Sequence, residues 1–396
     1  MAKGASLPAS RALLFGGVIA LVWLICLEVA VGVGSAVAPK LFGQTASVLS
    51  AIDKIDPERF AKFSAHARGT PAVWSAREGT SKTTSCHGDT FDVTYDAAGA
   101  RVYPGYDASS ATVLLIGDSY TAGDEVGNEH TIAAHLHKRT GVVVANLGVG
   151  GYSPLQAVLN FERRARNFPS AQVVVLGIMH ENIRRNVNSY IAVFTGEEGV
   201  LGVRPHVRDG TIRLVPEDAF DSLDRFKAYA VSALHADFWS TPTFSFPYSL
   251  ALVELVSSRS FWIRNKSRFF KQFGRQYAPD FADPYLTRAL SIVIDRFSAS
   301  AEAAGLTPVV IFFPQNRHDL HAPAGWIEER RRAHGEKVNI QVMVTGGIDW
   351  SRYNQKPDGG CHASTYGYDM IAGAYAKVLD GLAGRRQLQP GNNYNR

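Results

Sequence analysis

Three cysteines in 396 residues are too few for a disulfide framework, and no Cys-x-x-Cys pair or Cys/His spacing of the zinc type occurs. Charge is sparse as well, at 19% of residues with a mean hydropathy of −0.07. That balance excludes both an intrinsically disordered chain and a polytopic membrane protein, and leaves enough apolar residues for a sizeable core. Length alone suggests two or three domains, although one elaborated α/β domain reaches a similar size.

Charge is nearly missing between Arg11 and Lys40, where Glu28 alone interrupts an apolar segment. At about 1.5 Å per residue this segment is long enough to cross a hydrocarbon core of about 30 Å, with Glu28 toward the far interface. Lys3 and Arg11 precede it and acids follow Lys40, so the positive-inside bias places the N-terminus in the cytoplasm and the rest of the chain outside. A cleaved signal peptide ending at Ala36-Val37-Ala38 is the rival, opposed by Pro39 directly after the site, and a buried core helix is the third reading.

Acids are absent between Glu254 and Asp280. The run SRSFWIRNKSRFFKQFGRQY there carries Arg259, Arg264, Lys266, Arg268, Lys271 and Arg275. These six positive charges exceed the net +5 of the whole chain, so the remainder is slightly acidic. Phe and Trp interleaved with them over 259–277 fit a helix in a membrane interface, a groove for an acidic polysaccharide, or an ordinary amphipathic helix with solvated charges. The compartment argues against nucleic acid.

What is present is a strand–helix alternation from Ala111 onward. The apolar runs VLLIG, GVVVANLG, AQVVVLGI and PVVIFF are separated by helical patterns, and a last helix runs from Tyr366 to Leu382. Short continuous apolar strands between helices predict a parallel sheet covered on both faces, a doubly wound α/β domain. The organisation expected is an anchor over 1–40, a stalk with a β-hairpin over 41–110, an α/β domain over 111–385 and a polar tail over 386–396. An insertion from about 195 to 283 is too long for a structureless loop and contains a second hairpin signal at Asp209-Gly210. The first hairpin is expected around Ala98-Gly99, between TFDVTY and ARVY.

Gly117-Asp118-Ser119 falls at the C-terminal end of the first parallel strand, where open α/β sheets place ligands. The tripeptide is weak alone. Three further blocks follow in order: Asn146-Leu147-Gly148-Val149-Gly150-Gly151-Tyr152-Ser153, then LGIMHENIRRN ending the third strand, then Asp358-Gly359-Gly360-Cys361-His362 before the last helix. Together the four blocks resemble the SGNH, or GDSL, hydrolase superfamily over residues 111 to 194 and 300 to 382. The resemblance implies a flavodoxin-like, mostly parallel sheet and a serine esterase or acyltransferase that needs no cofactor.

In that scheme Ser119 is the nucleophile and His362 the base. The backbone N–H groups of Ser119 and Gly151 and the side chain of Asn182 form the oxyanion hole, with Gly148 and Gly150 competing for the place of Gly151. Gly117 and Asp118 support the turn, Asp118 by hydrogen-bonding backbone amides. Two positions depart from the family pattern. The acid usually three residues before the histidine is replaced by Gly359, leaving Asp358 one residue further off, Asp349, or a Ser/His dyad. The third block is longer and lacks its aspartate. Exported relatives that acetylate or deacetylate polysaccharides suggest an acylated glycan as substrate, with a lipid ester next and a non-catalytic, glycan- or partner-binding protein as the rival class.

The other candidates carry less. His180 lines the site or serves the fold, and Arg184 and Arg185 hold an anionic group or simply start a helix. His135, His137, His318 and His321 pair suggestively, but no carboxylate or cysteine pattern completes a metal site. Cys86 and Cys361, the two cysteines outside the apolar segment, form a disulfide or remain free thiols.

Overall fold

The computed structural model describes residues 9–37, 44–195, 201–263, 279–315, 323–334, 338–344, 346–356 and 361–383. Asp358, His318, His321, the tail and most of the basic aromatic run lie outside the described residues.

Nine strands are described: β1 (Gly79–Thr84), β2 (Thr90–Tyr95), β3 (Val113–Ile116), β4 (Val144–Asn146), β5 (Val173–Met179), β6 (His206–Arg208), β7 (Thr211–Arg213), β8 (Thr307–Phe313) and β9 (Asn339–Val342). Five of them form one parallel sheet in the order β4-β3-β5-β8-β9. Counted within the sheet this is 2-1-3-4-5, the flavodoxin-type order, whose direction reverses between β3 and β5. Polar chemistry in such a sheet gathers outside the carboxyl ends of those two strands.

Every residue of β3 and β5 is buried, because the sheet is covered on both sides. Alternation sorts the side chains. Leu114, Ile116, Val174, Leu176 and Ile178 face one core with the helices Pro154–Arg164 and Pro284–Ala303. Val113, Leu115, Val173, Val175 and Phe313 face the other, with the helices Ile132–Thr140 and Thr365–Ala383. Two-sided burial explains why the strands read as continuous apolar runs rather than alternating ones.

The helix Ala9–Val37 contains a span, Leu13–Val37, long and apolar enough to cross a membrane. The segment expected as a stalk is packed on the domain. Phe60 and Phe63 of the helix Pro57–Ala67 meet Phe226 of the helix Leu223–Ala236 at ring separations of 5.4 and 5.9 Å. The chain turns back at Ala98-Gly99 as expected, with Val102 N–H donating to the Thr94 carbonyl, but the longer pairing of this region lies elsewhere. β2 pairs antiparallel with β1, whose sequence GTSKTT carries no apolar alternation, while the turn at Gly99 closes only a single bridge, Tyr95 to Arg101. The second hairpin forms as expected: β6 and β7 join through Asp209 and Gly210, both at positive φ.

Candidate active site

β3 ends at Ile116, and the chain turns at Gly117-Asp118 into the short helix Ser119–Ala122. Asp118 caps this helix: its Oδ1 accepts from the N–H groups of Tyr120 at 2.9 Å and Thr121 at 3.4 Å. Gly117 has no room for a side chain, since a Cβ there would lie 2.1 Å from Thr121 Oγ1 and 2.9 Å from the Gly177 carbonyl. The result is a buried serine at the first helical position, at the sheet's switch point.

The second block lies against this turn. Gly148 N–H bonds Asn146 Oδ1 at 3.1 Å, and a Cβ on Gly148 would meet the backbone nitrogen of Ala122 at 2.3 Å. Gly148 therefore serves close backbone packing. Gly151 has φ +76, and the space beside it is bounded by Ile191 and Trp74. Trp74 also fixes the loop, donating from Nε1 to the Gly150 carbonyl at 3.2 Å and accepting at its own carbonyl from the Tyr152 hydroxyl.

Asn182, fully buried after β5, donates from its amide nitrogen to Asp118 Oδ2. An amide has two N–H groups, so this bond orients the side chain and leaves one donor. Burial pushes the Asp118 carboxyl up, opposed by the nearby Arg185 charge and the Asn182 bond.

His362, just before the last helix, meets the Ser119 turn through Tyr120, with ring centroids 5.2 Å apart. Its Nδ1 is 2.7 Å from Glu125 Oε1. No motif pointed to Glu125, which sits in the loop six residues after Ser119. Its φ of +67 lies in the left-handed region, a conformation that costs a non-glycine residue on the order of 1 kcal/mol or more and marks a position held by its surroundings. Burial pushes Glu125 up, but the hydrogen bond and charge of His362 prevail and hold its carboxyl below the usual range. Burial pushes His362 down, but Glu125, Asp124 and Asp118 outweigh it, and the imidazole stays above its ordinary value. The alternative acid Asp349 is engaged elsewhere, capping the helix Trp350–Tyr353 through Ser351.

Arg101, also unforeseen, holds the loop that presents Glu125. The buried guanidinium donates to the carbonyls of Ala122 (2.9 Å), Gly123 (2.5 Å) and Val126 (2.6 Å) and to Asn128 Oδ1 (3.0 Å). Cys86 and Cys361 form a disulfide with Cα atoms 6.2 Å apart, tying the β1–β2 turn to the residue before His362. Gln355 reinforces this joint, donating to the Glu125 carbonyl at 2.7 Å from its side chain and to the His362 carbonyl at 3.0 Å from its backbone. Both sulfurs lie close to Glu125, but bonded to each other they are not thiolate ligands for a metal.

His362 reaches the Ser119 turn through its ring contact with Tyr120, and no hydrogen bond between Ser119 and His362 is present among the described residues. His180 is buried among Phe281 and Phe312. Arg184 pairs with Asp280 at 2.7 Å, whereas Arg185 donates to the Tyr152 carbonyl of the second block at 3.0 Å. His135 pairs with Asp369 at 3.3 Å and His137 bonds the Val142 carbonyl at 3.0 Å, which separates their roles. A buried cation, Arg204, lies 5.8 Å from the Trp74 ring, and burial lowers its pKa to about 9. No protein-family model matches this chain, and no curated protein does.

Proposed function

We propose that this protein is a serine-dependent ester hydrolase or O-acyltransferase of the SGNH type, anchored by its N-terminal helix with the α/β domain outside the cytoplasm. The observation carrying the reading is the His362–Glu125 pair facing the Ser119 turn at the sheet's switch point. Ser119 Oγ attacks the ester carbonyl. His362 takes the hydroxyl proton on Nε2, while Glu125 keeps the proton on Nδ1 and stabilises the imidazolium that forms. The N–H groups of Ser119 and Gly151 and the free N–H of Asn182 supply the oxyanion donors. His362 then returns its proton to the departing alkoxide, and water or a sugar hydroxyl takes the acyl group from the serine.

The disulfide supports an oxidising compartment. An acylated envelope polysaccharide is the substrate class proposed, on the family resemblance and the anchor. The test uses the full-length protein in detergent micelles with 4-nitrophenyl acetate. Ser119→Ala and His362→Ala are each expected to lower kcat/KM at least about 10³-fold. Equal activity in the three proteins refutes the catalytic reading. A release rate that climbs when a glycan acceptor is added assigns transfer rather than hydrolysis.

A further inference from the structure

Glu28 is the one charge in the apolar anchor, and its partners belong to the insertion. Its carboxylate accepts from the backbone N–H of Tyr248 and, at 3.1 Å, from that of Ser249. These are the first two residues of the helix Tyr248–Ser257, so the anchor supplies that helix with its N-terminal cap from 220 positions away. One turn further along, a Cβ on Gly32 would sit 2.9 Å from the Tyr248 ring. Glu28, Val31, Gly32 and Ser35 are all covered at least in part, forming a stripe at i, i+3, i+4 and i+7. The anchor is exposed along its apolar length from Leu13 to Leu27.

Depth follows from length. Leu13–Leu27 accounts for about 22 Å at 1.5 Å per residue, while the hydrocarbon core is about 30 Å thick. The remaining several ångströms fall on the turns from Glu28 onward, so the helix that Glu28 caps begins at the level of the outer leaflet. Its outward face is apolar there: Leu250 is 66% and Val253 60% exposed, with Phe246 just before the helix 75% and Trp262 beyond it 50% exposed. Glu254 flanks this face, toward the polar end with Ser257, Ser258 and Arg259. The joint is pinned on its other side, where Thr241 N–H donates to Thr45 Oγ1 at 2.8 Å.

The geometry points to the Phe246–Trp262 segment as a second membrane contact, a helix seated in the outer leaflet beside the anchor with Phe246, Leu250 and Val253 in lipid. This rests on the anchor crossing a bilayer. A carboxylate at that depth is costly unless hydrogen-bonded, and the two N–H donors of the seated helix meet that need. The domain is thereby held against the membrane surface rather than swinging on a tether, which confines it to ester substrates at that surface.

The full-length protein in phosphatidylcholine and phosphatidylglycerol vesicles tests this, using an environment-sensitive NBD label. Leu250→Cys and Val253→Cys are labelled singly in a Cys26→Ser background, with Glu217→Cys as the aqueous reference and native Cys26 as the anchor reference. Nitroxide lipids with a shallow acyl-chain label are expected to remove at least about half of the emission from positions 250 and 253, as fits a helix buried about 5–10 Å deep, while aqueous iodide spares them. Iodide quenching at both positions equal to that at Glu217→Cys, with Cys26 still quenched by lipid, overturns the seated helix and leaves the anchor standing. Iodide quenching of Cys26 as well removes the anchor reading and this inference with it.

Discussion

Replacing Glu125 by Gln leaves a side chain of the same size beside His362 Nδ1 and removes only the charge. Both side chains are largely shielded, 27% exposed for His362 and 15% for Glu125, and their atoms are 2.7 Å apart. A hydrogen bond to a charged group in such a setting contributes about 1.5–3 kcal/mol. Losing it lowers the His362 pKa, with Asp124 and Asp118 still raising it. In the wild type the imidazole is held above its ordinary 6.5, so kcat/KM rises with pH through a value above 6.5 as the neutral base appears. In Glu125→Gln that acid limb moves to lower pH, while the plateau falls about 10²- to 10⁴-fold because the tautomer and the imidazolium lose their support. Asp358→Asn changes the plateau by less than about threefold. The assay is steady-state ester hydrolysis over about pH 5 to 9, the range in which histidine titrates. Collapse of Asp358→Asn with an unaffected Glu125→Gln refutes the assignment.

Stability follows the same pair. Glu125's lowered pKa contributes above its ordinary 4.5 and is lost as pH falls through the folded value. His362's raised pKa contributes below 6.5 and is lost as pH rises through the folded value. The difference in Tm between wild type and Glu125→Gln is therefore greatest between about pH 4.5 and 6.5.

Three further outcomes are expected. Gly148→Ala forces a Cβ into the Ala122 backbone; overpacking of this kind costs about 1–3 kcal/mol and shifts the Ser119 turn, so kcat falls more than Tm does, and wild-type kcat in this variant refutes the close-packing argument. Arg101→Met leaves three carbonyls without their donor and lowers unfolding free energy by at least about 3 kcal/mol, read by denaturant titration; a loss below about 1 kcal/mol contradicts it. Reducing Cys86–Cys361 raises the intact mass by two hydrogens and, by freeing a closed loop of 275 positions, costs about 2–5 kcal/mol; an unchanged mass means the thiols were never joined.

The strands legible in the sequence were those buried on both faces. β3, β4, β5 and β8 announce themselves as apolar runs, and they form one parallel sheet as the alternation implies. β9 escaped because NIQV is short, sits at the sheet's edge and buries only Ile340 fully. β1 escaped because its register is set by β2 and not by a pattern of its own. At the site, the residues that touch backbone or fit tight turns were readable: Gly117, Asp118, Ser119 and the glycines of the second block. Glu125 was not, because its position depends on a left-handed φ and on Arg101 gripping the carbonyls around it, and neither leaves a mark at motif spacing. The adjacent acids Asp124 and Glu125, directly after the Gly123 that ends the serine helix, were the only local signal.

The serine and the carboxylate lie within one stretch of seven residues, while the imidazole comes from 237 positions downstream. A chain emerging N-terminus first thus completes two of the three groups early and receives the third last, with the strut from Cys86 closing over it. The arrangement is a timetable: a chain cut short before His362 carries the Ser119 turn without its imidazole, so under the proposed mechanism reactivity waits for the last segment to fold into place.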